Sequence, residues 1–206
     1  ELELKGVDLV RRDWSVLAKK VGTKVLNMLL RPAADEDKEA TLEKIHEYME
    51  EVGKRVRLAP GKEDAFPLEC FVIRKGLTKD PAHYPDAKNQ PHVQVAMRKG
   101  LKSGATVPYV IAAAASNGEA AEAEVGGSSI AARAFHPEEM RADAKAKKAV
   151  DITYYLSNQI HPVVSRLLFP IEGTSAARIA QQLGLDAQRY YQQDKAKERE
   201  TRDDAL

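Results

Sequence analysis

The chain of 206 residues contains a single cysteine, Cys70. One cysteine cannot form a disulfide within the chain, and it cannot supply a cysteine-rich zinc site. The sequence also lacks a signal peptide and any run of about 18 apolar residues, the length that a membrane-spanning helix needs. These absences predict a soluble intracellular protein.

Histidine is also sparse, with five residues spread along the chain. His83 and His92 lack the spacing typical of metal ligands and have no cysteine nearby. The sequence therefore predicts no metal site.

The net charge of +1 conceals an uneven distribution. Residues 35–51 contain eight acidic and two basic residues, a net charge of −6, whereas residues 71–104 contain seven basic and two acidic residues, a net charge of +5. Such segregation indicates one surface for a polyanion and another for water or a protein partner. The alternative, that both runs are simply solvated surface, stays open on composition alone.

Apolar residues recur at helical spacing in two N-terminal segments. The first pattern predicts a helix from about Leu9 to Leu30, ended by Pro32, with Val10, Trp14, Leu17, Val21, Val25 and Met28 on its buried face. The second follows acidic residues suited to a helix N-terminus, and it consists of Leu42, Ile45, Met49, Val52 and Val56. We expect these two helices to pack as an antiparallel pair.

The middle of the chain predicts a small α+β lobe on this helical base. Residues 69–74 and 106–112 have strand-like composition, and a short helix opened by proline is expected over residues 91–99. Residues 114–128 are rich in alanine, glycine and glutamate, so we expect a mobile insertion there.

Two further helices are predicted near the C-terminus. Asp151 is placed to cap the first, which carries Ile152, Leu156, Ile160, Val163 and Leu167 on one side. Pro162 should kink this helix near Asn158, because proline removes one backbone hydrogen bond. Thr174 or Ser175 should cap a final short helix ending at Gly184.

A charged tail is expected over residues 191–206. Because the chain has no initiating methionine and closes on charged residues, we expect both ends to lie within a longer protein.

Two basic turns are candidate phosphate sites. In the first, Lys5, Gly6, Arg11 and Arg12 lie where a polar turn enters the predicted first helix, and free backbone N–H groups at a helix start favour phosphate. Arg11 and Arg12 can equally be ion-pair partners of Asp8 and Asp13, and Lys5 can be a solvated surface lysine. In the second turn, Lys75, Thr78 and Lys79 follow a predicted strand, where backbone and side-chain donors can converge on a phosphate. An ordinary surface turn is the alternative for this site.

Motifs along nearly the whole chain resemble family B DNA polymerases. The run Lys5-Gly6-Val7-Asp8-Leu9-Val10-Arg11-Arg12-Asp13-Trp14 resembles the junction between palm and thumb in that family, and Lys75-Gly76-Leu77-Thr78-Lys79-Asp80-Pro81, Tyr84-Pro85 and Pro91-His92-Val93-Gln94-Val95-Ala96 resemble its thumb. The later motifs resemble the alpha branch of the family; they are Tyr154-Tyr155-Leu156, Gln159-Ile160-His161-Pro162-Val163-Val164, Arg166, Pro170-Ile171, Gly173 and Leu183-Gly184-Leu185-Asp186. The loop at residues 114–128 is longer than the family's usual connection.

The resemblance implies a mostly helical polymerase thumb, with long antiparallel helices and a short β-containing tip. Residues 1–13 would be the C-terminal edge of the palm, residues 14–190 the thumb and residues 191–206 the tail. Lys5 would approach the primer near its growing end, and Gly6 would let the backbone approach the sugar edge. His92, Gln94 and Arg98 would lie against the minor groove and backbone of the duplex.

The resemblance also implies the partners: primer–template nucleic acid, the rest of the catalytic subunit and a primase complex, in the nucleus. Family B polymerases transfer nucleotides with two Mg²⁺ ions held by palm aspartates, one in a Tyr-Gly-Asp-Thr-Asp type motif. No such motif occurs here, so the chain by itself is expected to need no cofactor and to have no catalytic residue. A stand-alone nucleic-acid-binding module and a helical interaction domain, with the acidic helix as its partner surface, remain the alternatives.

Overall fold

The computed structural model describes residues 13–32, 37–114, 129–142, 148–192 and 194. They divide into two compact units. We call residues 17–67 with residues from 153 onward the helical unit, and residues 13–16 with 68–152 the sheet unit. None of the described helices is long and apolar enough to span a membrane.

The first helix, α1, runs from Val16 to Leu30, so the predicted start at Leu9 is wrong for residues 13–15, which are not helical. The N–H group of Val16 donates to the carbonyl of Val72 at 3.2 Å, which satisfies one of the free donors at the helix start. Leu17, Val21 and Val25 are buried as predicted, whereas Trp14 is only half-buried.

The second helix, α2, spans Lys38–Val56 and confirms the prediction from its acidic start. The carboxylate of Asp37 accepts a hydrogen bond from the N–H of Ala40 at 2.8 Å, the usual geometry of a capping residue. The five apolar residues that predicted the helix are all buried. Between the first two helices, Nζ of Lys24 lies 3.9 Å from the ring centre of Tyr48; their antiparallel packing stays a prediction.

The long C-terminal helix is interrupted by a π-helical segment. It begins as α5 (Ile152–Tyr154), continues as a π-helix over Tyr155–Ile160 and ends as α6 (His161–Leu168). The backbone N–H of His161 donates to the carbonyl of Leu156, five residues earlier. The irregularity therefore lies just before Pro162, where the sequence predicted a kink. A π turn holds one residue more than an α turn, so the residues after it are rotated about the helix axis. Accordingly, Leu168 is buried in place of Leu167, which the sequence predicted to be buried.

Helix α7 spans Ala176–Gln182 and is bounded as predicted. The side chain of Ser175 accepts a hydrogen bond from the N–H of Arg178 at 3.1 Å. At its end, Gly184 has a φ of +69°, and Leu185 donates to the carbonyl of Ala180 at 2.8 Å. This arrangement is a Schellman motif, which needs a left-handed residue and therefore favours glycine.

Helices α2 and α7 meet at a glycine and an arginine. A Cβ atom on Gly53 would lie 2.9 Å from the carbonyl oxygen of Leu183. Arg57 donates to the carbonyls of Gly53 at 2.6 Å, Leu183 at 2.8 Å and Gly184 at 2.8 Å. One guanidinium thus satisfies carbonyls at the ends of both helices, where intrahelical partners are lacking.

We expect the substitution Gly53→Ala to destabilise the protein, although alanine is the better helix former by about 1 kcal/mol. The new methyl group meets the backbone of Leu183, which cannot rotate away, and overpacking of this kind costs about 1–3 kcal/mol. Thermal unfolding measures the effect. The control is Gly76→Ala, where no atom lies within 4 Å of the added Cβ. A melting temperature for Gly53→Ala equal to or above that of the parent protein would contradict this packing.

The sheet unit contains a three-stranded antiparallel sheet in the order β1-β2-β3. The strands are β1 (Ile73–Gly76), β2 (Thr106–Ile111) and β3 (Ala134–Phe135). β2 confirms the prediction for residues 106–112, since Ala112 follows it in an isolated bridge to Val150. The prediction for residues 69–74 is wrong in its first half, because Leu68–Phe71 forms a 3₁₀ helix. Four consecutive buried residues, 70–73, fit a helical turn leading into a strand better than one alternating strand.

The described part of the sheet unit also contains helix α3 (Pro91–Lys99), as predicted, and helix α4 (Pro137–Ala142). Asp151 precedes α5 as predicted, and its carboxylate accepts a hydrogen bond from Arg133. The predicted insertion lies outside the described residues except for Ala114, and of the predicted tail only Tyr191, Gln192 and Asp194 are described.

Candidate nucleic-acid interface

At one end of the β1–β2 ladder, exposed lysines lie in the segment that follows β1 and in the segment that precedes β2. Leu77 closes the ladder, donating to Ala105 and accepting from Gly104, each at 2.8 Å. Lys79 lies two residues after Leu77, and Lys102 lies two residues before Gly104. Both lysines are exposed. The pairing of the strands therefore brings two cations to the same end of the β1–β2 ladder.

The hydroxyl group of Tyr84 closes the turn that carries Lys79. It accepts hydrogen bonds from the N–H of Thr78 at 2.7 Å and the N–H of Lys79 at 3.4 Å, and it lies 3.1 Å from Oγ1 of Thr78. The side-chain hydrogen bond with Thr78, aided by these backbone donors, lowers the pKa of Tyr84. The sequence predicted that donors of this turn converge on a phosphate; in the structure the backbone donors converge on a phenol oxygen.

Lys75 and His92 lie near this turn. Nζ of Lys75 is 3.9 Å from Oδ2 of Asp13, and the lysine side chain is 43% exposed. His92 is only 2% exposed, and its ring meets that of Tyr84 edge to face, with centroids 5.7 Å apart. Burial, reinforced by the charge of Lys75, lowers the pKa of His92 to about 4 although Asp13 opposes the shift. The imidazole is therefore neutral at pH 7.

The free energy of unfolding should decrease as the pH is lowered because of His92. Between pH 6.5 and 4 the unfolded chain binds a proton at this histidine that the folded chain excludes, so the contribution is complete above pH 6.5 and is lost below it. Moving from pH 7 to pH 5 should remove about 2 kcal/mol through this residue. Urea unfolding of the parent protein and of His92→Gln at both pH values measures this contribution of His92 to the free energy of unfolding. Burial also lowers the pKa of His46 and His161, but these two histidines are present in both proteins. Only the difference between the two proteins therefore reports on His92, and an equal pH dependence would contradict the prediction.

Gln94 and Arg98 on α3 are engaged within the sheet unit. Nε2 of Gln94 donates to the carbonyl of Ala87 at 2.9 Å. Nε of Arg98 lies 3.3 Å from Oε1 of Glu139, and its terminal nitrogen donates to the carbonyl of Ala134. Although burial raises the pKa of Glu139, hydrogen bonds from Arg98 and from the N–H of His136 lower it overall. Arg98 thus joins α3 to β3 and α4, a structural role beside the predicted DNA contact.

In residues 71–104, which we call the basic segment, four cations have no ion-pair partner in the part of the chain that the structure describes. Of its seven basic residues, Lys75, Arg98 and Lys99 form ion pairs, the last with Glu138 at 3.0 Å. The other four are exposed and make no ion pair with any residue that the structure describes; they are Arg74, Lys79, Lys88 and Lys102. Charge counting in the sequence included Lys88 and Lys102, but the site prediction omitted both.

The predicted residues of the first basic turn are not available for comparison with this surface. Lys5, Gly6, Arg11 and Arg12 fall outside the described ranges. Among the residues within those ranges, no group of three or more histidine, cysteine, aspartate and glutamate side chains could hold a metal ion.

The helical unit presents a different electrostatic character. Three of the glutamates on α2 pair with nearby cations: Glu43 with Arg178, Glu50 with Lys54 and Glu51 with Arg55. The unit also contains a pocket of about 340 Å³ bordered by His161, Phe169 and Asp194. None of the predicted DNA-binding residues lines it.

Comparison with known proteins gives the family. The model of DNA polymerase family B matches residues 1–171. The chain is 46% identical over 195 residues to the DNA polymerase alpha catalytic subunit of Oryza sativa subsp. japonica, and 44% identical over 197 residues to that of Arabidopsis thaliana. Each alignment covers 92% of this chain and 12% of the relative, so the chain spans about an eighth of these proteins.

A solved structure supports the fold. The family B DNA polymerase of the hyperthermophilic archaeon Pyrobaculum calidifontis matches with a TM-score of 0.55 at 24% identity, over 79% of this chain and 18% of that one. The motif resemblance, the family model and the fold agree. The chain belongs to DNA polymerase family B and aligns with a segment of DNA polymerase alpha catalytic subunits.

Proposed function

We propose that this chain is the thumb of an alpha-type catalytic subunit and that it grips the primer–template duplex through the sheet unit. The observation that carries the proposal is a set of four exposed cations that make no ion pair with the described residues; two of them, Lys79 and Lys102, share one end of the sheet. Cationic side chains that make no ion pair with the described residues can neutralise phosphates. Each neutralised phosphate releases counterions, which supplies affinity without regard to base sequence.

The wider assignment rests on the motif resemblance, and the names of the relatives support only its polymerase alpha part. Residues 1–13 would be the edge of the palm, residues 14–190 the thumb and residues 191–206 a charged tail. Nucleotide transfer would be carried out by palm aspartates and Mg²⁺ outside this chain, with a primase complex as partner, in the nucleus. Lys5, Gly6, Arg11 and Arg12 would follow the primer strand. Buried His92, together with Gln94 and Arg98, would support the contact surface from beneath.

The salt dependence of binding tests this proposal. The affinity of the 206-residue chain for a fluorescent primer–template is measured by anisotropy between 50 and 200 mM NaCl, on two duplexes of unrelated sequence. With about four phosphate contacts, the plot of log affinity against log salt should have a slope near −3 to −4, and both duplexes should bind alike. A slope near zero, or strong preference for one duplex, would refute the electrostatic grip.

A further inference from the structure

Tyr84 ends the loop that begins at Thr78, and its side chain forms hydrogen bonds with the backbone at the start of the same loop. It follows a 3₁₀ helix (Pro81–His83) whose start is capped by Asp80, through a hydrogen bond of 3.2 Å from the N–H of Ala82. From that position the phenol oxygen receives the N–H groups of Thr78 and Lys79. The seven residues from Thr78 to Tyr84 thus form a loop that is closed by hydrogen bonds to the Tyr84 hydroxyl.

The ring of Tyr84 has its own buried support. His92 lies at the second position of α3, is almost fully buried and contacts the tyrosine ring edge to face. Tyr84 is therefore held at both ends, by a core side chain at its ring and by two backbone donors at its hydroxyl. Thr78 and Lys79 themselves are exposed, with no burial of their own to order them.

We infer that Tyr84 is a positioning residue for duplex binding, whose hydroxyl fixes the Thr78–Lys79 backbone so that the Lys79 ammonium meets a phosphate. The inference rests on the proposed function, since it requires that Lys79 contact the duplex. A loop already ordered before binding loses less conformational entropy when it binds, and the difference appears as affinity. Tyr84 itself needs no contact with nucleic acid.

A double-mutant cycle on primer–template binding tests the inference. The 206-residue chain is compared with Lys79→Ala, Tyr84→Phe and the double variant, at 100 mM NaCl by anisotropy. Tyr84→Phe removes one oxygen and should weaken binding roughly fivefold, the effect of one hydrogen bond. In the Lys79→Ala background the same change should weaken binding less than about twofold, because the residue through which it acts is gone. Tyr191→Phe, a tyrosine 54% exposed in the helical unit, is the matched control and should bind as the parent does.

The outcomes separate this inference from the proposed function. If Lys79→Ala weakens binding and Tyr84→Phe does not, or if the two losses are additive, the positioning role is refuted while the grip stands. If Lys79→Ala leaves both affinity and salt slope unchanged, both proposals fail. Thermal melting of Tyr84→Phe should stay within about 2 °C of the parent, as for a surface change; loss of cooperative melting would assign the hydroxyl to folding and overturn the inference.

Discussion

Replacing Lys79, Lys88 and Lys102 together with alanine should weaken duplex binding by a catalytic subunit that carries this segment on the order of 10²-fold at 0.1 M salt. Each lost phosphate contact should also flatten the salt slope by about 0.9. These three lysines belong, with Arg74, to the four exposed cations of residues 71–104 that make no ion pair with the residues that the structure describes. Lys75 and Arg98 are excluded because their ion pairs, with Asp13 and Glu139, belong to the sheet unit itself.

The effect should appear in product length before it appears in chemistry. A weaker grip raises the rate of dissociation, so each extension event should be several-fold shorter, while single-nucleotide insertion at saturating primer–template stays unchanged. Primer extension under single-hit conditions measures the first quantity, and rapid quench measures the second.

The control for this prediction keeps the change in charge and moves it to the helical unit. Lys38, Lys54 and Lys62 are exposed lysines there, so replacing these three with alanine also removes three positive charges. Neutralising the acidic face at Glu43, Glu47 and Glu50 should likewise have little effect. If the control triple weakens binding as much as the first, the effect is one of net charge, and the sheet unit has no special role.

The 206-residue chain should not extend a primed template, even with all four nucleotides and Mg²⁺. Two-metal nucleotidyl transfer needs carboxylates that hold both ions at the primer end, and electrostatic grip on the duplex does not replace them. The expected loss is complete, to the rate of the uncatalysed reaction. Gel-based primer extension measures it, with a catalytic subunit that contains the palm as the positive control.

Incorporation that persists after further purification would contradict this prediction. It would mean that carboxylates of this chain assemble a metal site. Asp8, outside the described residues, would then be the first candidate to replace, followed by Asp13.

Much of the helical framework could be predicted from the sequence, because it depends on local signals. The apolar repeat and the Asp37 cap predicted α2, and Pro91 with the later Gly100 defines α3 at both ends. Ser175 and Gly184 bound α7 in the same way. In each case a capping or breaking residue acts on its own helix, so no tertiary contact is needed for the prediction.

The errors arose where tertiary contacts decide the structure. The start of α1 is tied to Val72, far along the chain, and the π segment before Pro162 moves burial from Leu167 to Leu168. No periodicity reveals either feature.

The candidate site was predicted only in part, for a similar reason. Lys79 lies exposed as expected, but no sequence pattern indicates that Arg98 pairs with Glu139, 41 residues later. Tyr84 was noted as part of a motif and given no role, since its role depends on a hydroxyl that folds back on residues 78–79. Exposure and ion pairing therefore separate the free cations from the structural ones, which charge counting alone could not do.

Site-specific photo-crosslinking can identify which unit of the chain contacts the primer–template duplex. A photoreactive amino acid replaces Lys79 in one variant of the catalytic subunit and Glu47, on the acidic face of α2, in another, and each is bound to a radiolabelled primer–template. We expect Lys79 to cross-link to the duplex a few base pairs behind the primer end, on any template sequence, and Glu47 to give only background. Cross-linking from position 47 with none from position 79 would place the duplex on the helical unit and contradict the account.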